Sequence, residues 1–137
     1  MQAGKASGKC RQCGTIPGIG ILGTRERHGE GRNRNLPLAP GTGDDGWLAA
    51  VNALCDEARA LAPDAVVVSL GLDAAATDPE SPLCVTEAGY RTAGRLVGAL
   101  GPAVLIQEGG YDLASLGGLA VAALSGAAEG AGLDTSS

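Results

Sequence analysis

The sequence contains no Phe, and its only aromatic residues are Trp47, Tyr90 and Tyr111. Any core must therefore be assembled from Ala, Val, Leu and Ile, each of which buries little area. There is one histidine, His28, which excludes a histidine-rich metal centre. Ile16–Leu22 is too short and too broken by Gly and Pro to be a secretory signal. The longest apolar stretch, Leu113 to Leu124, is interrupted by Ser and a Gly pair and falls short of the ~20 residues of a membrane span. A soluble, cytoplasmic protein without a membrane partner is expected. No Gly-x-Gly-x-x-Gly joins a strand to a helix, and no Gly-Lys-Ser/Thr loop exists, which disfavours a nucleotide-binding unit.

What is present is unevenly distributed. Residues 1–34 carry seven Lys and Arg against two Glu; the remaining residues carry three Arg against thirteen acids. A basic head could be a nucleic-acid arm, but no aromatics are interleaved for base stacking, so a solvated leader is the better reading. Cys10-Arg-Gln-Cys13 has zinc-knuckle spacing without a second Cys-x-x-Cys, and Cys55 falls on the apolar face of a predicted helix. With no periodicity and much Gly and Arg, residues 1–34 read as loop or disorder.

Beyond residue 34 the pattern sharpens. A helix is expected from Asp44 or Asp45, either able to cap it, to about Leu61, with Pro63 as its stop. Ala65–Leu70 and Ala103–Gln107 are short apolar runs of strand length, apolar on both faces, and read as buried parallel strands. Between them Thr86 caps a helix whose apolar face runs Tyr90, Ala93, Leu96, Val97 and Leu100. A third helix is expected from Leu113 to Ser125, ended by Gly126, and then a frayed tail. The order is that of a parallel α/β unit with helices available for both sheet faces. Two strands make a poor sheet, so further strands are expected elsewhere.

Ligands of open α/β sheets bind at the carboxyl ends of the strands. The loops there hold Asp73 and Asp78-Pro79-Glu80 after the first strand, and Glu108-Gly109-Gly110-Tyr111 after the second. If the strands are neighbours, Asp73 and Tyr111 converge on one crevice. A carboxylate and a phenol suit metal-assisted hydrolysis, and the Gly pair lets a ligand approach the backbone. The same residues also fit ordinary loop chemistry.

Five passages, in order, carry a stronger signal: Asn33-x-Asn35-Leu-Pro-Leu-x-x-Gly41-Thr-Gly-Asp44, Pro63-Asp-x-Val-Val-Val-Ser69-Leu-Gly-Leu-Asp73, Asp78-Pro79, Leu83-x-Val-Thr86 and Glu108-Gly-Gly-Tyr111-Asp-Leu. Together they resemble the later part of the zinc-dependent histone deacetylase and acetylpolyamine amidohydrolase family, from about Arg32 to Gly126. The resemblance implies an α/β fold: the C-terminal portion of an arginase-like, three-layer α/β/α sandwich with parallel strands. It implies deacetylation of an acetylated amine, either acetyl-lysine or an acetylpolyamine. It makes Asp73 a Zn2+ ligand and Tyr111 the catalytic donor that polarises the acetyl carbonyl. Glu80, Gly109 and Gly110 become candidate substrate contacts, Glu80 favouring a cationic substrate.

The family's Asp-x-His ligands and tandem His-His base have no counterpart here, and His28 is assigned no role. The chain is therefore expected neither to retain zinc nor to act alone. Residues 1–31 read as an unrelated or disordered leader, 32–126 as a C-terminal fragment of a deacetylase-like domain, and 127–137 as a flexible tail. The alternative is a non-catalytic interaction module, or one half of a split deacetylase, associating through an exposed sheet edge.

Overall fold

A computed structural model describes residues 34–133, together with the backbone of two short strands, β1 (Ala3–Gly4) and β2 (Gly18–Ile21). Cys10, Cys13 and His28 lie outside the described residues. Strand β2 pairs antiparallel with both β1 and β3 (Arg34–Pro37), Gly18 opposite Pro37 and Ile21 opposite Arg34. The two early strands correct the loop reading of this region. Sheet pairing is made by the backbone, which a Gly-rich segment still offers despite glycine's low strand propensity.

Helix α1 spans Asp44–Ala60 and buries Trp47, Ala50, Val51, Leu54 and Cys55. Its N-cap is Gly43 with no side-chain bond, rather than either aspartate. Asp44 instead reaches across to the next helix, accepting from Thr86 N at 2.8 Å and Thr86 Oγ1 at 2.6 Å. Thr86 caps α2 (Glu87–Gly98) as expected, its hydroxyl accepting from Gly89 N at 3.2 Å. One carboxylate thus ties together two helix N-termini, where negative charge is favoured.

Strands β4 (Val66–Leu70) and β5 (Ala103–Gln107) are parallel neighbours, Val66 opposite Ala103 and Leu70 opposite Gln107. Helix α3 spans Leu113–Gly130, its N-cap Asp112 accepting from Ala114 N at 3.2 Å. It runs through Gly126 rather than stopping there. Gly126 and Gly130 of α3, and Gly94 and Gly98 of α2, lie where the two helices touch. A methyl on any of them would strike a backbone carbonyl of the facing helix: Arg91 and Arg95 from α3, Ala123 and Ala127 from α2. Glycine is a packing residue here, which overrides its poor helix propensity. Arg91 and Glu129 pair beside this contact.

By length and composition α3, with a mean hydropathy of 1.3, could cross a membrane. In this fold it packs against α2 through a buried stripe of Leu119, Ala122, Ala123, Gly126 and Ala127. A small internal void is walled by Trp47 of α1, Tyr90 of α2, Ala123 of α3, and Val68, Leu70 and Leu105 of the strands. All three helices therefore cover the same sheet face, not both. On the other face Val67 is 70% exposed, Val104 56% and Ile106 50%. The strands have the sequence of doubly covered strands, but only one cover lies among the described residues.

Candidate functional site

The carboxyl ends of β4 and β5 open into two loops that lean on each other. Glu108 N donates to Leu70 O at 3.0 Å, and Leu72 N donates to Gly109 O at 2.8 Å. Gly109 is buried with its α-carbon against the Asp73 carboxylate; a methyl there would lie 2.7 Å from Asp73 Oδ2. Gly110 adopts φ +132°, where only glycine is at ease, between Leu72 and Leu116. The two loops are therefore in contact, with Asp73 and Gly109 in direct apposition.

Asp73 is half-buried, and its turn is held from behind. Tyr90 is 1% exposed, and its hydroxyl donates to Gly71 O at 3.4 Å and accepts from Ala74 N at 3.1 Å. Both ends of the Asp73 segment hang on that one oxygen. Burial pushes the Tyr90 phenol well above its ordinary range, against the opposing pull of the Ala74 amide, so it stays a neutral donor. Tyr90→Phe is expected to cost about 1–3 kcal/mol, because two buried backbone groups lose their partner. Urea denaturation would read that loss, with amide exchange accelerating at Ala74 more than at Val68.

Tyr111 follows the Gly pair; the residue is 56% exposed while its backbone is anchored. Its N–H donates to Asp78 Oδ2 at 2.6 Å. Glu80 is exposed, and its N–H donates to Asp78 Oδ1 at 2.9 Å. Thr77 Oγ1 meets Ser115 Oγ at 2.9 Å, and Ser115 Oγ donates to Asp112 Oδ2 at 2.7 Å, fastening the loop to the start of α3. The Ser115 hydroxyl, then the Thr77 hydroxyl, holds the Asp112 carboxyl below its ordinary range. The Glu108 side chain is exposed and does not brace the Gly pair. Gln107 serves instead, its Nε2 donating to Gly109 O at 3.0 Å.

Two residues of this site were missed by sequence reasoning. Tyr90 looked like a helix-face residue, and nothing in its spacing announces a hydrogen-bonding role. Asp78 stood in a quoted motif without a function; an Asp-Pro inside a loop between two candidate site residues was the available signal.

A metal fits these residues only in part. Among the described residues no three of His, Cys, Asp and Glu gather at one point. A catalytic zinc takes three protein ligands, so Asp73 by itself does not make the site.

The profile of the Histone deacetylase domain matches residues 6–127, starting ahead of the boundary near residue 32 that the motifs suggested. The chain is 44% identical over 89 residues to acetylpolyamine amidohydrolase of Burkholderia pseudomallei (strain 1710b), covering 64% of this chain and 26% of that protein. It is 43% identical over 102 residues to acetylpolyamine amidohydrolase 1 of Pseudomonas aeruginosa, covering 74% and 30%. The crystal structure of acetylpolyamine aminohydrolase from Burkholderia pseudomallei superposes with a TM-score of 0.70 at 39% identity, over 74% of this chain and 30% of that one. The chain thus spans under a third of the length of these relatives, and its α/β architecture is theirs over the shared part. With the profile matching most of its length, the chain belongs to the histone deacetylase family.

Proposed function

We propose that this chain contributes one side of the reaction centre of an amidohydrolase that removes the acetyl group from an acetylated amine. The observation that carries this reading is the apposition of the Asp73 and Gly109–Tyr111 loops at the carboxyl ends of the parallel strands. In this reading Asp73 is one carboxylate ligand of the family's zinc ion. Tyr111 donates a hydrogen bond to the acetyl oxygen as the amide carbon becomes tetrahedral. Its exposed phenol is free to reach an incoming substrate, while its anchored backbone keeps the donor in place. The Gly109–Gly110 backbone lines the approach. Exposed Glu80 favours a cationic amine, so an acetylpolyamine is the preferred substrate class over a neutral amide.

The remaining ligands and the base that takes the water's proton are not among the described residues, which contain no histidine. The centre is completed by a second polypeptide segment bearing them, and the bare Val67, Val104 and Ile106 face supports the same view. Free Cys55 and Cys84 suit a reducing cytoplasm.

The purified 137-residue chain is expected to hold well under one zinc per chain and to release no acetate from an acetylpolyamine or an acetyl-lysine peptide. Elemental analysis and an acetate assay check this. Stoichiometric zinc with turnover would refute the incomplete-centre reading. Stable association without turnover, after supply of a segment bearing Asp-x-His and His-His, would favour the alternative of a non-catalytic interaction module.

A further inference from the structure

Asp78 is the one buried charged side chain among the described residues, at 6% exposure. A carboxylate leaves water only where donors replace its hydration. Here backbone amides meet both oxygens. The bond from Glu80 N to Oδ1 closes a local turn, and Pro79, lacking an N–H, offers no competing donor. The bond from Tyr111 N to Oδ2 is different: it leaves the loop and spans 33 residues of sequence.

Asp78 is itself held from both sides. Its amide donates to Ala75 O at 3.0 Å, and its carbonyl accepts from Ser81 N at 3.1 Å. On the other side of the bond, Gly110 adopts φ +132° on the way into Tyr111, with Leu72 and Leu116 where a side chain would stand. Tyr111 thus combines an exposed ring with a fixed base, and the base is fixed by a single carboxylate.

We infer that Asp78 is a positioning residue: through the Tyr111 amide it sets where the Tyr111 side chain leaves the backbone, on the rim shared with Asp73. The inference rests on the deacetylase reading only for what the phenol does once placed.

The sequence has two tyrosines, one buried and one exposed, so 3-fluorotyrosine labelling of the 137-residue chain yields two separable fluorine resonances. In the unsubstituted chain a through-hydrogen-bond coupling is expected between Tyr111 N and Asp78 Cγ. Asp78→Asn replaces one acceptor oxygen by a donor. The Tyr111 amide is then expected to exchange about tenfold faster or more. Its fluorine resonance should move toward that of the free amino acid, while the Tyr90 resonance, which feels only the loss of the nearby Asp78 charge, moves less. Asp78→Glu, which keeps the carboxylate, is expected to restore part of the protection.

A missing coupling, a Tyr111 amide that exchanges freely without any substitution, or a Tyr90 resonance that moves as far as that of Tyr111 in a folded Asp78→Asn chain would overturn the inference. The coupling needs no variant, so it decides the matter even if Asp78→Asn fails to fold. None of these readouts involves turnover. Failure of the deacetylase reading would leave them intact, and their failure would leave that reading standing.

Discussion

Gly94→Val is expected to leave the 137-residue chain largely unfolded at 25 °C. At this position α2 and α3 touch backbone to backbone. A Cβ would collide with the Ala123 carbonyl and approach Ala127 N at 2.9 Å, and neither can rotate away as a side chain would. Forcing extra atoms into a packed core costs about 1–3 kcal/mol when side chains can shift, and more when they cannot. The helices would have to separate. Separation would open the Gly98, Gly126 and Gly130 contacts together and uncover Ala123 and Ala127. A domain of ordinary stability, about 5–15 kcal/mol, has little margin for that, least of all one with a core of small side chains. Gly117→Ala is the matched control. Gly117 lies in the facing helix, α3, with nothing within 4 Å of the added methyl, so relief from glycine's entropy should stabilise the chain by up to about 1 kcal/mol. Thermal unfolding by circular dichroism should therefore move in opposite directions for the two substitutions. A cooperative Gly94→Val melt near that of the parent would refute the close-packed crossing.

Trp47→Ala is expected to cost about 3–5 kcal/mol, the range for removing a buried indole. Trp47 is fully buried, with its ring centroid 5.2 Å from that of Tyr90 and the planes at 56°. In a chain with three aromatics it is the largest core side chain, and the small residues around it cannot close the hole it would leave. The damage should reach the candidate site. Tyr90 would lose the ring that supports it, and its hydroxyl holds Gly71 and Ala74 on either side of Asp73. Urea denaturation should show the loss of stability. Amide exchange at Ala74 should rise beyond what global destabilisation explains. Protection at Ala74 that merely tracks global stability would show that the Trp47–Tyr90 contact does not brace the Asp73 turn.

The elements whose signals lie in adjacent residues were legible beforehand. Thr86 announced the start of α2, the Ala65–Leu70 and Ala103–Gln107 runs announced β4 and β5, and the aspartate pair with Pro63 as a stop bracketed α1. Misreadings arose where a local preference met a distant partner. Gly126 resembles a helix stop until α2 is laid against it. Asp44 resembles an N-cap until Thr86 arrives with two donors. The Gly18–Ile21 strand has no side-chain signature and exists through its pairing with β3. Asp73 and Tyr111 were candidates because loops at strand ends carry ligands, and because their motifs resemble those of the deacetylases.

From the sequence alone came the family, the strand and helix order, and the residue types at the ends of the strands, since each rests on neighbours in the chain. Tertiary structure decided which of those residues stand together and what holds them. Gly109 lies against Asp73, Tyr90 spans the Asp73 turn, and Asp78 grips the Tyr111 amide. Such contacts join residues far apart in the chain, 16 positions for Ala74 and Tyr90 and 33 for Asp78 and Tyr111. No local propensity encodes them. They form because a buried carboxylate and a buried phenol must find hydrogen-bond partners wherever the packing of the strands and helices presents them.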